Sequence, residues 1–311
     1  MKPIAVLDHD QTRSALADRS ALTETVARAL IAVARGQASV PPRIAAFAAH
    51  GLLGAMPGYV PGVGLGAKLI AVFDDPANPG RSSHQGLVAL FDETDGRPLA
   101  ILDAEPLTAA RTAASATVAL RALARPDARR VVVVGTGTQA RAQLELLAGD
   151  ERWQVTLAGR DRGRSAALAE EFGVAAAPSI EAGVREAEAV LCTTGAHEPV
   201  LRRDWLAPGT HVGSVGGSQG PELDPETIAA ASLFAEWTGA AEAAPPAGAH
   251  ELQGVDPARV TLIGSVLDAG HPGRRDEREL TVYKSTGHAA LDLAAAAVAL
   301  AARARAETHS A

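Results

Sequence analysis

Val131-Val132-Val133-Val134-Gly135-Thr136-Gly137-Thr138-Gln139-Ala140 is the stretch on which the reading of the fold turns. Four consecutive valines cannot alternate between a wet and a dry face. They read as a strand buried on both sides, as in a parallel sheet covered by helices. The strand runs into Gly-x-Gly-x-x-Ala, and an Ala-, Leu- and Arg-rich segment of good helix propensity follows. Gly135 permits the tight turn, Gly137 lets the backbone approach a pyrophosphate, and Ala140 lets the helix pack close to the strand. The free N–H groups of the first helical turn then face the phosphates. With a buried strand before it and a helix after it, this segment nominates Gly135, Gly137, Thr138, Gln139 and Ala140 as dinucleotide-binding residues.

Downstream, strand and helix patterns alternate: strands over 154–158, 189–193, 211–215 and 232–235, with a helix over 164–172. Such alternation implies an α/β unit with a doubly wound parallel sheet of the Rossmann type. The strand over 154–158 should carry the cofactor preference. An NAD-selective site wants an acidic residue near its end, about 20 residues past the glycines. Here the strand ends Ala158-Gly159-Arg160-Asp161-Arg162-Gly163-Arg164. Arg160, with Arg164 beyond it, suits the 2′-phosphate of NADP, so NADP(H) is favoured. If Asp161 instead contacts the ribose, NAD(H) is possible. Thr193 and the pair Val215-Gly216 fall at strand ends, where ligands bind in open α/β sheets. They are candidate nicotinamide neighbours.

Upstream, residues 10–36 read as one helix with Leu16, Leu22, Val26, Ala29, Leu30 and Val33 at helical spacing. Pro41-Pro42-Arg43 ends it and opens an extended region. Met56-Pro57-Gly58-Tyr59 and Gly62-Val63-Gly64-Leu65-Gly66 lead to a strand over 67–73. The turn residues over 74–80 predict a loop. His84 is read as part of the loop before a second strand, over 86–91. Asp95-Gly96 marks a hairpin turn into a return strand over 98–102. A helix follows to about residue 124. This first part reads as an antiparallel α+β domain, and the last helix, from about residue 287, is expected to fold back on it. The boundaries so read are 1–115, completed by 286–311, for the first domain and 116–285 for the second.

The chain has 311 residues and a net charge of -7, with no Lys- or Arg-rich run, so nucleic acid is an unsuitable partner. The alanine run over 289–304 is interrupted by Asp292 and followed by Arg303 and Arg305, which predicts a packed helix and no membrane partner. Cys192 is the single cysteine, so no internal disulfide forms. With no signal peptide evident at the N-terminus, a cytoplasmic protein is expected. The nine histidines show no metal-ligand spacing, and no metal is expected.

Three cations of the first part stand among small or apolar residues: Arg43, Lys68 and Arg111. Each alone reads as a solvated surface charge. Together they suit a carboxylate clamp, with arginine giving bidentate contacts and lysine a point charge. Their convergence is not visible in the sequence.

Several motifs add up to a resemblance. Pro41-Pro42-Arg43, Met56-Pro57, Gly66-Ala67-Lys68, Leu107-Thr108-x-x-Arg111-Thr112-Ala113-Ala114 and the glycine turn all resemble the ornithine cyclodeaminase/mu-crystallin family. So do Pro208-Gly209-Thr210-His211, Glu222-Leu223-Asp224-Pro225-Glu226 and Thr281-Val282-Tyr283-Lys284-Ser285-x-Gly287. The resemblance implies a homodimer with an N-terminal substrate-binding and dimerisation domain, completed by the last helix, and a Rossmann domain for NAD(P). It implies that Arg43, Lys68 and Arg111 grip the carboxylate of a small-molecule α-imino or α-amino acid. Met56 and His84 would lie near that substrate, and Thr112 near the nicotinamide. Cyclodeaminases of the family carry an aspartate where this chain has Ser218, and a glutamate near the Met-Pro, where it has Gly54-Ala55. The departure favours the mu-crystallin-like ketimine reductases and the pyrroline-2-carboxylate reductases. The expected activity is therefore NAD(P)H-dependent reduction of a cyclic α-imino acid, with Lys68 and Arg111 as the catalytic candidates. The alternatives are an alanine-type amino-acid dehydrogenase, an ornithine cyclodeaminase, or a non-catalytic NADP(H)-dependent ligand-binding protein.

Overall fold

The valine strand has the two-faced burial its sequence demands. The protein is described by a computed structural model over residues 3–73, 84–217 and 219–309. It divides into two units: the described residues up to Arg111 together with those from His288 onward, and residues Thr112 to Gly287.

In the first unit the sheet comprises β1 (Ala5–Leu7), β2 (Ile44–Ala48), β3 (Gly51–Val60), β4 (Gly64–Phe73), β5 (His84–Phe91) and β6 (Pro98–Asp103), in the order β1-β6-β5-β4-β3-β2. All pairings are antiparallel except β1 with β6, which is parallel. The expected antiparallel α+β domain thus carries one parallel pair, at that short edge strand. The single helix expected over 10–36 is two, α1 (His9–Ala15) and α2 (Arg19–Ala34). Asp18 separates them: its carboxylate accepts the Ala21 N–H at 3.0 Å and caps α2, a role that requires non-helical backbone. Met56-Pro57-Gly58, within the region read as extended, is the middle of β3. Pro57 is tolerated there because Tyr59 gives its N–H to Ser39 on the side away from β4, and Pro57, two residues earlier, faces the same way. The β2 register has already ended at Ile44↔Ala55, so the missing N–H breaks no ladder bond. His84, expected in a loop, opens β5 opposite Val72. α3 (Ala104–Leu123) follows β6, and the division between the units falls within it.

The second unit holds β7 (Arg130–Val134), α4 (Thr138–Leu147), β8 (Gln154–Ala158), α5 (Arg162–Phe172), β9 (Ala175–Ala176), α6 (Ile180–Glu186), β10 (Ala189–Cys192), β11 (His211–Ser214), α7 (Pro225–Ala230), β12 (Ser232–Ala235), α8 (Gly239–Glu242), β13 (Val260–Leu262), α9 (Ile263–Leu267) and β14 (Thr281–Lys284). The strand order is β13-β12-β14-β11-β10-β7-β8-β9, and every pairing is parallel. Val132 and Val134 pack with Val190, Cys192 and Val212 on one face; Val131 and Val133 pack with Leu120, Leu144 and Leu157 on the other. The order reverses between β7 and β10, the crevice position at which such sheets bind ligands. The chain then returns to the first unit as α10 (Ala289–His309), which packs on α2 and on β3 and β4. No described helix is long and apolar enough to cross a membrane.

Candidate active site

In the first unit Lys68 stands mid-strand on β4, directly opposite Met56 on β3 and Val88 on β5. All three are buried, so the ammonium is carried on an otherwise apolar row. Arg111 projects from α3. Both cations are only 5% exposed, which excludes the solvated-surface reading. They meet at Asp292 of α10: Oδ1 accepts Arg111 Nε at 2.9 Å and lies 3.4 Å from Lys68 Nζ. Lys68 Nζ also donates to Thr108 Oγ1 at 3.1 Å. Burial lowers the Lys68 pKa to about 8; Asp292 pulls it back up, and Arg111 and Arg43 add to the lowering. The half-buried Arg43 is thus close enough to be felt at Lys68. His288, just before α10, is held neutral, its pKa lowered to about 4 by burial, with Asp292 opposing and Arg43 and Arg111 reinforcing.

Lys68 and Arg111 converge on Asp292, with the charge of Arg43 felt at Lys68, and Asp292 and Thr108, which hold them, were given no role from sequence. A lone carboxylate among fourteen otherwise uncharged positions, 289–302, was the available signal for Asp292. The side chains of His84 and Ser218 lie outside the described residues.

In the second unit Gly135 has φ 130°, and a Cβ there would lie 2.6 Å from Thr193 Oγ1, so only glycine fits. Thr193 Oγ1 donates to the Val134 carbonyl at 2.9 Å, which ties the ends of β7 and β10 together. Gly137 caps α4 with no side-chain hydrogen bond, and nothing lies within 4 Å of its Cβ position. The N–H groups of Thr138, Gln139 and Ala140 have no hydrogen-bond partner among the described residues; neither has Gln139 Oε1, and Ala140 is buried. This cradle fits a dinucleotide pyrophosphate. Thr112 is buried in α3.

At the end of β8 a Cβ on Gly159 would lie 2.6 Å from Ser165 Oγ and 3.0 Å from Thr136 Cγ2, so a larger residue there requires those side chains to move. Arg160 is exposed, with no partner among the described residues. Asp161 is engaged as the cap of α5, accepting the Arg164 N–H at 3.0 Å, and Arg164 itself is exposed.

The loops after β10 and β11 are held by the carboxylate that opens the Glu222–Glu226 motif, which was given no role from sequence. Buried Glu222 accepts Thr194 N–H (2.6 Å) and Thr194 Oγ1 (2.7 Å) on one oxygen, and Ser214 Oγ (2.7 Å) and Gly216 N–H (2.9 Å) on the other. Lys284 Nζ donates to Ser214 Oγ and to the Gly216 carbonyl, both at 2.8 Å, and pairs with Glu251 at 3.0 Å. These bonds fix Val215 and Gly216 at the end of β11. Cys192 is fully buried in β10, its thiol pKa pushed up by burial and by Glu222, which suits a packing role. Among the described residues no group of His, Cys, Asp and Glu is arranged to hold a metal ion.

Comparison with known proteins agrees with this geometry. The model of the ornithine cyclodeaminase/mu-crystallin family matches residues 6–306. The Delta(1)-pyrroline-2-carboxylate reductase of Paracoccus denitrificans is 34% identical over 256 residues, covering 76% of this chain and 78% of that one. The ketimine reductase mu-crystallin of Mus musculus is 31% identical over 256 residues, covering 79% of each. Among solved structures, an archaeal alanine dehydrogenase dimer with bound NAD superimposes with a TM-score of 0.85 at 26% identity, covering 98% of this chain and 97% of that one. The chain belongs to the ornithine cyclodeaminase/mu-crystallin family.

Proposed function

We propose that the protein is an NAD(P)H-dependent imine (ketimine) reductase that reduces the C=N bond of a small cyclic α-imino acid, such as pyrroline- or piperideine-2-carboxylate. The observation that carries this reading is the buried Lys68–Asp292–Arg111 cluster beside Arg43, in a chain of this family. Arg111 spends only Nε on Asp292, so its terminal nitrogens, with no partner among the described residues, are available to a substrate carboxylate. Arg43 adds charge. A protonated iminium accepts hydride better than a neutral imine, and Lys68, titrating near pH 8, is poised to supply that proton near neutrality. A reduced nicotinamide, when bound, supplies the hydride. Gly135, Gly137, Thr138, Gln139 and Ala140 would hold its pyrophosphate, with Thr112, Thr193, Val215 and Gly216 near its reactive end. Met56 and His84 are assigned to the substrate side.

The test is cofactor oxidation over a panel of imino and keto acids with both reduced cofactors. Pyrroline-2-carboxylate should be consumed, and should outpace pyruvate plus ammonia. A second reading, an alanine-type dehydrogenase, draws on the likeness to the archaeal enzyme along nearly the whole chain. It wins if only pyruvate plus ammonia consumes cofactor.

The unpartnered Arg160 and the filled position at Gly159 support NADP(H) over NAD(H). Arg160→Asp should change the NADPH:NADH preference by about 10- to 100-fold, the loss of one charge-assisted contact. An unchanged ratio of kcat/KM values would put the 2′-phosphate elsewhere.

The edge strand β2 supports a homodimer. Phe47 is 84% exposed, and Ile44 and Leu53 are exposed with it, on an edge that a monomer would leave wet. Light scattering should give the mass of two chains, and the mass of one would remove the dimer. The buried, unpaired Cys192 suits a reducing compartment, which we take to be the cytoplasm.

A further inference from the structure

Asp292 is the only charged side chain between His288 and Arg303, and it is 1% exposed. A lone carboxylate in an alanine helix is costly to bury. Replacing a buried ion triad with apolar side chains is often neutral or stabilising, so stability alone does not account for it. Its geometry does. An arginine facing a carboxylate ordinarily offers it two N–H groups in a fork. Here Arg111 gives Nε alone, to the same oxygen that Lys68 approaches, and Oδ2 has no hydrogen-bond partner among the described residues. One oxygen therefore fixes two cations, while the terminal nitrogens of the guanidinium stay unspent.

We propose that Asp292 is a positioning residue for the substrate clamp: through Oδ1 it holds Arg111 side-on and Lys68 end-on, so that the terminal nitrogens of Arg111 and the ammonium of Lys68 are both set for one substrate carboxylate. The inference rests on the reductase reading for the identity of that carboxylate, but not for the arrangement itself. The groups that act on Lys68 come from several elements: Asp292 from α10, Arg111 and Thr108 from α3, Met56 and Val88 from the flanking strands, and Arg43 from the segment before β2. His288 lies among Asp292, Arg43 and Arg111 and is neutral. Among the described residues Asp292 is the anion that acts on Lys68, and it favours the protonated amine.

The chain has only three lysines, Lys2, Lys68 and Lys284, so the Lys68 side chain can be followed directly. In full-length protein labelled with ¹³Cε-lysine, the Lys68 resonance is identified by its absence in Lys68→Arg. In Asp292→Asn it should titrate at lower pH than in the wild type. The same variant should raise the KM for pyrroline-2-carboxylate at least tenfold and leave the KM for the reduced cofactor within twofold. An unchanged Lys68 titration with an unchanged substrate KM overturns the proposal. If the wild type reduces no imino acid, the reductase reading fails, while the Lys68 titration still decides whether Asp292 governs this lysine. Should Asp292→Asn not fold, Asp292→Glu carries the test. It keeps the charge but displaces it by one methylene, so Lys68 should titrate near its wild-type value while the substrate KM rises. A wild-type KM in that variant overturns the positioning role.

Discussion

Lys68→Met is expected to lower kcat by about 100-fold or more, the ordinary contribution of a positioned proton donor, and to leave the folded protein no less stable at pH 7. The two effects have one origin. The folded pKa of Lys68, about 8, lies below the ordinary lysine value of 10.5, chiefly because the amine is buried. Below pH 8 both folded and unfolded chains hold the proton, and folding bears the full penalty of burying the charge, about 3 kcal/mol. Between pH 8 and 10.5 the folded chain sheds the proton first, the unfolded chain binds more, and stability rises with pH. Methionine fills nearly the same volume between Met56 and Val88 without a charge to desolvate. Thermal melts at pH 7 should place Lys68→Met at or above the wild type, with the gap narrowing toward pH 10. A variant that melts lower while keeping its activity would show Lys68 to be a structural residue. In the wild type, the same lysine makes activity fall as pH rises through about 8, because the deprotonated amine has nothing to give.

Arg111→Ala should lower kcat/KM for the imino acid by about 30- to 150-fold, which corresponds to about 2–3 kcal/mol for a charge-assisted contact. The loss should fall mainly on KM, since the contact is made to the carboxylate, away from the reacting carbon. Arg111→Lys should recover little of it. A lysine has no Nε to leave with Asp292 while a separate pair of nitrogens reaches outward. Steady-state kinetics with saturating cofactor decide the point: an unchanged KM removes Arg111 from the clamp. The substitution also relieves Lys68 of a neighbouring positive charge, so the alkaline fall in activity should move to higher pH.

How far the sequence could be read follows from the range over which each feature acts. The valine run and its glycine turn are local: ten consecutive residues contain the strand, the turn and the helix start, and the structure puts each there. Lys68, Arg111 and Arg43 were legible as residues but not as a site. Arg111 and Asp292 are 181 residues apart, Lys68 and Asp292 are 224 apart, and no local pattern reports a meeting over that distance. Asp292 itself was read only as an interruption of an apolar run, because a buried carboxylate and a solvated one look alike until their partners are known. Glu222 was hidden in the same way, its four hydrogen bonds going to two loops and a strand end. β3 was legible only as part of an extended region, because the free edge that lets Pro57 sit within a strand is a tertiary feature. The break between α1 and α2 rests on one carboxylate, Asp18, whose capping role competes with helix propensity on both sides.

The C-terminal helix has a consequence for the newborn chain. Domains are generally completed in the order in which the ribosome delivers them, yet the first unit draws α10 from a stretch that emerges only after the whole of the second unit. Until it arrives, β3 and β4 lack the cover that Leu293 gives to Gly58 and Gly66, and Lys68 and Arg111 lack their anion. The first unit is thus completed only after the second, and a ribosome that stops short of residue 292 releases a chain whose second unit has all of its strands but whose clamp has no centre.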